Sequence, residues 1–326
     1  MRSYNVMQIV LTAGLSIAAS AAAPIAHAED EWPAKRISLM VGFAPGGFAD
    51  SVGRVIGNRL SEKMKQSVVV QNMDGAAGNT AARLVSVAPA DGYTVLVTTT
   101  GLAINETLFK NKGFDAASLI PVGIPVSAPE SMTVNPKSGF NSLADVIREA
   151  KTGQIYMGTP GIGSGSHIAA TYFFKVLAKT EVKHIPFQGG SPAKLGLLAG
   201  DVNVLATTAA SQTMAAIVSN EIRGLAVASA KRDPAIPNVP TYGESGYNDF
   251  YANSWVGFFV RAETPPAIVD RLNAEINAIV NEPDVQDKML KLGLISETRA
   301  SRETREYFKS EIARWADMVK ATGLSM

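Results

Sequence analysis

Four short runs of small residues carry the chemistry open to this 326-residue chain: Ala44-Pro45-Gly46-Gly47, Asp74-Gly75-Ala76-Ala77-Gly78-Asn79-Thr80, residues 158–166, and Gln188-Gly189-Gly190. Each follows an apolar run and precedes a helical pattern. Each is therefore expected to aim backbone N–H groups from a helix start, where the helix dipole adds partial positive charge. Hydroxyls stand at the same places, on Ser164, Ser166, Thr207 and Thr208. Together they make a shell suited to an anion such as a carboxylate, with no Arg or Lys required. A single glycine-rich loop is most often a tight turn; four at strand ends are a stronger signal.

Templates for other chemistry are missing. The residue two before Ser164 is Ile162, so there is no G-x-S-x-G elbow, and no Gly-Lys pair exists to build a phosphate loop. Residues 161–165 lack the G-x-G-x-x-G spacing of a dinucleotide loop. His167 and His184 stand 17 positions apart with no H-E-x-x-H helix, a poor basis for a metal site. With no Cys there is no disulfide, zinc–thiolate or iron–sulfur centre, thiol nucleophile or lipidated cysteine. The balance of 30 basic against 29 acidic residues argues against a nucleic-acid partner or a polybasic membrane surface. No enzyme, cofactor or metal is expected.

The elements that must position these loops follow an alternating grammar. Residues 37–43 read as a buried strand broken by the first loop, and Asp50 or Ser51 opens an amphipathic helix through Val52, Val55, Ile56 and Leu60. Strands follow at Val68-Val69-Val70 and at residues 93–98, with a helix through Leu84 and Val85 between them. The pattern repeats after Pro121: a helix capped by Ser142, strands at residues 154–157, 182–187 and 202–206, and a helix over 167–177. Such alternation predicts parallel α/β sheets, whose strand ends are where ligands bind. Thr264-Pro265-Pro266 starts a helical C-terminal part, and Phe308, Ile312, Trp315 and Val319 form an apolar stripe for packing. His167 could fix its loop or touch a ligand, and Asp50 could cap its helix or do the same. Phe48 and Phe187 could wall an apolar ligand body or pack in the core.

A leader precedes all this. Arg2 is the only charge before Glu29, the following stretch is apolar and Ala-rich, and Ala26-His27-Ala28 fits a small-x-small cleavage site. A cleaved signal over 1–28 is expected, leaving 29 basic and 29 acidic residues. An exported chain without Cys points to a soluble protein of the periplasm. The absence of Gly-Ser or Pro linkers favours two α/β units joined by crossing strands.

Five strings are distinctive together: residues 41–47 (VGFAPGG) with Asp50, residues 74–79 (DGAAGN), residues 90–94 (ADGYT), residues 158–164 (GTPGIGS) with His167, and Val239-Pro240-Thr241 with residues 244–247 (ESGY). In order and spacing, over essentially the whole chain after the leader, they resemble the Bug (Bordetella uptake gene) family, the solute receptors of tripartite tricarboxylate transporters. The resemblance implies a two-lobed type II periplasmic-binding-protein fold of the α/β class with a hinge, lobe one being residues 29–126 plus 252–326 and lobe two 127–251. It implies that Phe43, Ala44, Gly47 and Phe48 hold one ligand carboxylate, partly through ordered water. Thr159, Ser164 and His167 would serve from lobe two, with Ala77, Thr100, Gln188 and Thr208 lining the cleft. Relatives often carry an Asp near Thr207 or Thr208. Without it an amino acid is a poorer fit than a plain dicarboxylate or an aromatic carboxylate. The expected function is a monomeric receptor that delivers such a ligand to membrane permease subunits. A sensor subunit read by a membrane kinase would share the same ligand chemistry.

Overall fold

The computed structural model describes residues 32–326; the leader expected at 1–28 lies outside the described residues. The first unit runs β1 (Ile37–Val41), α1 (Phe48–Met64), β2 (Val68–Asn72), α2 (Asn79–Ser86), β3 (Thr94–Thr99) and α3 (Gly101–Leu108). A long strand, β4 (Leu119–Val134), leads into α4 (Leu143–Ala150), β5 (Tyr156–Thr159), α5 (Gly165–Tyr172), β6 (Lys183–Pro186), α6 (Gly190–Ala199), β7 (Val204–Thr208), α7 (Gln212–Val218) and β8 (Arg223–Val227). The chain closes with β9 (Asn253–Arg261), α8 (Pro266–Val280), α9 (Pro283–Lys291), β10 (Ile295–Ser296) and α10 (Ser301–Thr322).

The strands follow the order β2-β1-β3-β9-β4-β7-β5-β6. The pairs β1–β2, β1–β3, β5–β6 and β5–β7 are parallel, as the alternating grammar predicts, and put their strand ends on one edge in each lobe. β4 serves both lobes. Its residues 119–129 pair with β9, and residues 130–134 pair with β7 and β8. The changeover is at Glu130: Pro129 faces Asn253 of β9, whereas Glu130 faces Thr208 of β7. This is a two-lobed α/β fold with strands crossing between the lobes.

β4 escaped the sequence reading for a physical reason. All its residues but Ile120 are buried, so no period-two alternation marks it, and Pro121, Pro125 and Pro129 read as strand breakers. Pro121 and Pro125 are accommodated where the register with β9 shifts, between Pro121 and Gly123 and again before Val126, whereas Pro129 stands in regular register opposite Asn253. α1 likewise starts at Phe48, earlier than expected, with Gly47 rather than Asp50 at its cap. Asp50 instead reaches back to accept a bond from the Gly46 N–H at 2.9 Å.

Each lobe buries a core on both faces of its strands. In lobe one, α1 and α8 cover one face through Val52, Ile56, Leu272 and Ile276, while Ala81, Val85 and Leu102 cover the other. In lobe two, Val146, Ile168 and Phe173 pack on one side and Leu197, Met214 and Ile217 on the other. The stripe on α10 divides between them. Phe308 joins Trp255 and Phe259 of lobe one, whereas Trp315 and Val319 enter the core of lobe two. Between these positions the buried Glu311 accepts from the indole N–H groups of Trp255 at 2.9 Å and Trp315 at 3.2 Å, and from Arg314 Nε at 2.8 Å.

Glu311→Ala strands two buried indole donors. It should cost about 2–6 kcal/mol of stability in urea unfolding, since each unsatisfied buried donor costs about 1–3 kcal/mol. Glu311→Gln, which keeps one acceptor oxygen, should cost less. A loss below about 1 kcal/mol in Glu311→Ala would show that the two indoles do not depend on this carboxylate.

Candidate ligand-binding site

The two lobes touch across the cleft. Ser191 Oγ, on the first turn of α6, donates to the Pro45 carbonyl at 3.0 Å. Gly189, with φ +131°, lies so close to the first loop that a Cβ there would come within 3.2 Å of Ala44 Cβ. A Cβ on Gly101 would similarly stand 3.2 Å from the Gly163 carbonyl oxygen. These contacts join residues on opposite sides of the changeover in β4, so the two lobes meet at the cleft.

Between the lobes lies a small cavity of ≈ 40 Å³. Four helix starts reach it: Gly47, Phe48 and Ala49 of α1, Ser164, Gly165 and Ser166 of α5, Gly190 of α6, and Gln212 and Thr213 of α7. α1 and α6 have glycine caps with no side-chain cap bond, which leaves their first N–H groups open to a ligand. Gln212 also lines the cavity, and its Nε2 is buried without a partner. No Lys or Arg lines it among the described residues. Phe43 and Pro160 also line a neighbouring, wider space of ≈ 280 Å³, walled by Phe109, Ile162 and Phe187 and flanked by Ala77 and Gln188. The arrangement offers polar donors at one end and an apolar chamber at the other.

The sequence-predicted residues divide into three groups. Phe43, Gly47, Phe48, Ser164 and Thr208 line the small cavity, and Phe43, Ala77 and Gln188 line the wider one. Ala44 sits at the lobe contact against Gly189. Thr100, Thr159 and His167 are buried behind the loops, with Thr100 Oγ1, Thr159 Oγ1 and His167 Nδ1 bonded within the fold. Thr100 Oγ1 accepts from the Trp255 N–H at 2.9 Å, and Thr159 Oγ1 pairs with His184 Nε2 at 2.7 Å. His167 Nδ1 accepts from the Gly163 N–H at 3.2 Å, the loop-fixing bond that a histidine at a helix start could make. Ser164 caps α5 by accepting from the His167 N–H at 3.2 Å, and its own proton goes to the Gly161 carbonyl at 2.8 Å.

Asp50 holds the first loop from behind. It accepts from Gly46 N–H, from Arg54 Nε and from Asn72 Nδ2, each at 2.9 Å. Burial alone would raise its pKa, but these partners outweigh it and keep the carboxyl below the ordinary carboxylate value.

The residue that sequence reasoning missed is Glu130. Its carboxylate is buried at the crossing of the lobes, where Ser166 Oγ donates at 2.6 Å, Thr208 Oγ1 donates at 3.4 Å, and Ser254 Oγ donates in a short bond. All three donors line the small cavity. Gly165 must be glycine here, because a Cβ would stand 2.8 Å from Glu130 Oε1. Nothing in the sequence near Glu130 marks it; Ser254 and Gln212 are equally unmarked, and all three reach the site only through β4, β9 and α7. Burial raises the Glu130 pKa to about 7, the three hydroxyls pulling it back only in part. The same burial, with the Glu130 charge nearby, pushes the Tyr242 phenol up. His167 and His184 stack with ring centroids 4.1 Å apart. Burial lowers their pKa values to about 3 and about 4, the neighbouring ring adding to the effect on His167.

These groups pull stability in opposite directions with pH. Each histidine binds a proton in the unfolded chain near pH 6.5 that the folded chain refuses, so its contribution is full above that pH and falls on acidification. Glu130 has a raised folded pKa, so its contribution is full below about 4.5 and is lost as pH rises through about 7. Glu130→Gln removes that pH-dependent loss, whatever constant offset the amide adds. Its Tm relative to the unaltered protein should therefore become more favourable between pH 5 and pH 8; a difference constant over that range would show that Glu130 does not titrate there.

The chain matches the family described as "Tripartite tricarboxylate transporter family receptor" (TctC) over residues 52–324. It is 31% identical to Protein BugT of Bordetella pertussis over 332 residues, covering 99% of each chain. Its fold superposes on Rpa4515 of R. palustris with adipate at a TM-score of 0.86, with 30% identity over 90% of this chain and 99% of the other. For MatC of Rhodopseudomonas palustris with bound malate the TM-score is 0.83, with 28% identity over 88% and 100% of the two chains. This chain is therefore a member of the TctC, or Bug, family of periplasmic solute-binding receptors.

Proposed function

We propose that this protein captures a small carboxylate in the interlobe cleft and delivers it to the membrane permease subunits of a tripartite tricarboxylate-type transporter. The observation that carries this reading is the convergence of uncapped helix N-termini on one small cavity without a cationic side chain. Such a cavity holds an anion by backbone N–H groups and helix dipoles. The Gln212 amide, buried without a partner, adds a donor that a carboxylate would satisfy. The structural neighbours with adipate and malate support the same ligand class. From the cavity the ligand body passes Phe43 and Pro160 into the chamber walled by Phe109 and Phe187, which suits a longer dicarboxylate or an aromatic carboxylate.

Capture works by closure. The ligand reaches donors of both lobes only when the lobes meet, and this differential affinity shifts the equilibrium toward the closed form. We place the division between the lobes at 126/127 and 251/252, next to the changeover in β4. The same closed surface is then what the permease reads. No described helix is long and apolar enough to cross a membrane, which agrees with action as a freely diffusing periplasmic protein.

A thermal-shift screen with di-, tri- and aromatic carboxylates tests this reading. A true ligand at 100 times its Kd should stabilise by about 2.7 kcal/mol. No stabilisation across the panel would overturn it. For the ligand so found, Ser191→Ala removes the bond that spans the lobes to Pro45. It should weaken binding by about 0.5–1.5 kcal/mol while leaving the unliganded Tm nearly unchanged, as expected of a bond that stabilises only the closed form. An unaltered affinity would mean that this contact has no part in closure.

A further inference from the structure

We propose that Glu130 sets the hydrogen-bond polarity of the cavity, so that the bound carboxylate carries a hydrogen-bond donor, a hydroxyl or an ammonium, on a carbon beside its carboxylate. This deepens the proposed function and rests on it. A hydroxyl has one proton to give. Ser166, Thr208 and Ser254 each give theirs to the Glu130 carboxylate, which lies behind the cavity wall that the three residues form. What each hydroxyl can then present to the cavity is an oxygen lone pair. Three acceptors from three separate elements, α5, β7 and β9, thus meet in a space of ≈ 40 Å³.

Donors converge on the same space from elsewhere. The first N–H groups of α1 and α6 and the unpartnered Gln212 Nε2 suit a carboxylate. A carboxylate alone would satisfy these donors and leave the three hydroxyl oxygens facing either nothing or a second set of lone pairs. A carboxylate with an adjacent group that donates meets both sets: an ammonium has a proton for each of the three oxygens, and a hydroxyl has one proton for one of them. Sites built to bond a ligand hydroxyl reject the analogue lacking it more strongly than apolar pockets reject an extra methylene, because buried polar groups are otherwise left unpaired. Protonation of Glu130 reverses at most one of the three bonds, since the acid has one proton and three partners. Glu130 acts through these hydroxyls, as a positioning residue.

The experiment measures Kd by calorimetry at pH 8 for matched sets that share a skeleton: succinate, malate and aspartate; propionate, lactate and alanine; adipate, 2-hydroxyadipate and 2-aminoadipate; phenylacetate, mandelate and phenylglycine. In the best-binding set the hydroxy or amino member should bind at least tenfold tighter than the unsubstituted acid, and which of the two leads identifies the donor. In Glu130→Gln, whose amide donates to at least one hydroxyl and so turns its proton toward the cavity, that ratio should fall at least fivefold. Thr208→Val and Ser254→Ala each remove one acceptor while keeping the Glu130 carboxylate in place, and should lower the ratio even if Glu130→Gln does not fold. An unsubstituted acid that binds as tightly as its partners, or a ratio unmoved in the variants that fold, overturns the proposal and leaves carboxylate capture standing. If no member of any set binds the unaltered protein, carboxylate capture itself is overturned, and the proposal with it.

Discussion

A carboxylate taken out of water has to be surrounded by donors, and in this protein that requirement falls at the point where the two lobes join. Glu130 is the residue at which β4 leaves β9 and joins β7, and its three hydroxyl partners come from the start of α5, the end of β7 and the start of β9. Each of those elements also supplies a wall of the cavity. The crossing strands, the floor of the cavity and a buried charge are thereby one construction. Desolvation makes the charge costly, and the hydroxyls offset that cost only while β7, β9 and α5 keep their places.

The loops above this floor are built so that the backbone can act directly. Gly47 and Gly189 cap their helices without a side chain, and Gly165 lets α5 approach Glu130. Larger residues behind them remove the freedom that glycine brings. Asp50 pins the first loop through Gly46, His167 pins the loop before α5 through Gly163, and Thr159 is held by His184. The stacked histidines are neutral at ordinary pH, which adds no charge to a cleft already free of Lys and Arg among its described lining residues. α10 packs Phe308 into one lobe and Trp315 into the other, so one helix is shared by both cores.

How much of this was legible depended on whether a signal is local. The loops at Phe43, Gly47, Phe48, Ala77, Ser164 and Gln188 could be seen because a glycine-rich break between an apolar run and a helix is written in consecutive residues, and they do line the two cavities. Whether a hydroxyl faces a ligand or the fold is not written there. Thr100 and Thr159 stand in the same kind of loop as Ser164 and Thr208, yet they lie behind it, bonded to Trp255 N–H and His184. β4 was hidden by burial on both faces and by three prolines, and Glu130 was hidden within it.

By itself, then, the sequence determined the alternating α/β grammar, the neutral loops at helix starts, the exclusion of thiol, phosphate-loop and nucleophile-elbow chemistry, and the family. These follow from residue types and short spacings, which act through local backbone preference and hydrophobic period. Only the tertiary structure decided which hydroxyls meet at the cavity and which way their protons point. That outcome rests on Glu130 meeting Ser166, Thr208 and Ser254, residues 36, 78 and 124 positions away, in a register set by strand pairing between lobes. A hydroxyl's role is fixed by its partner, and a partner that far along the chain is chosen by packing.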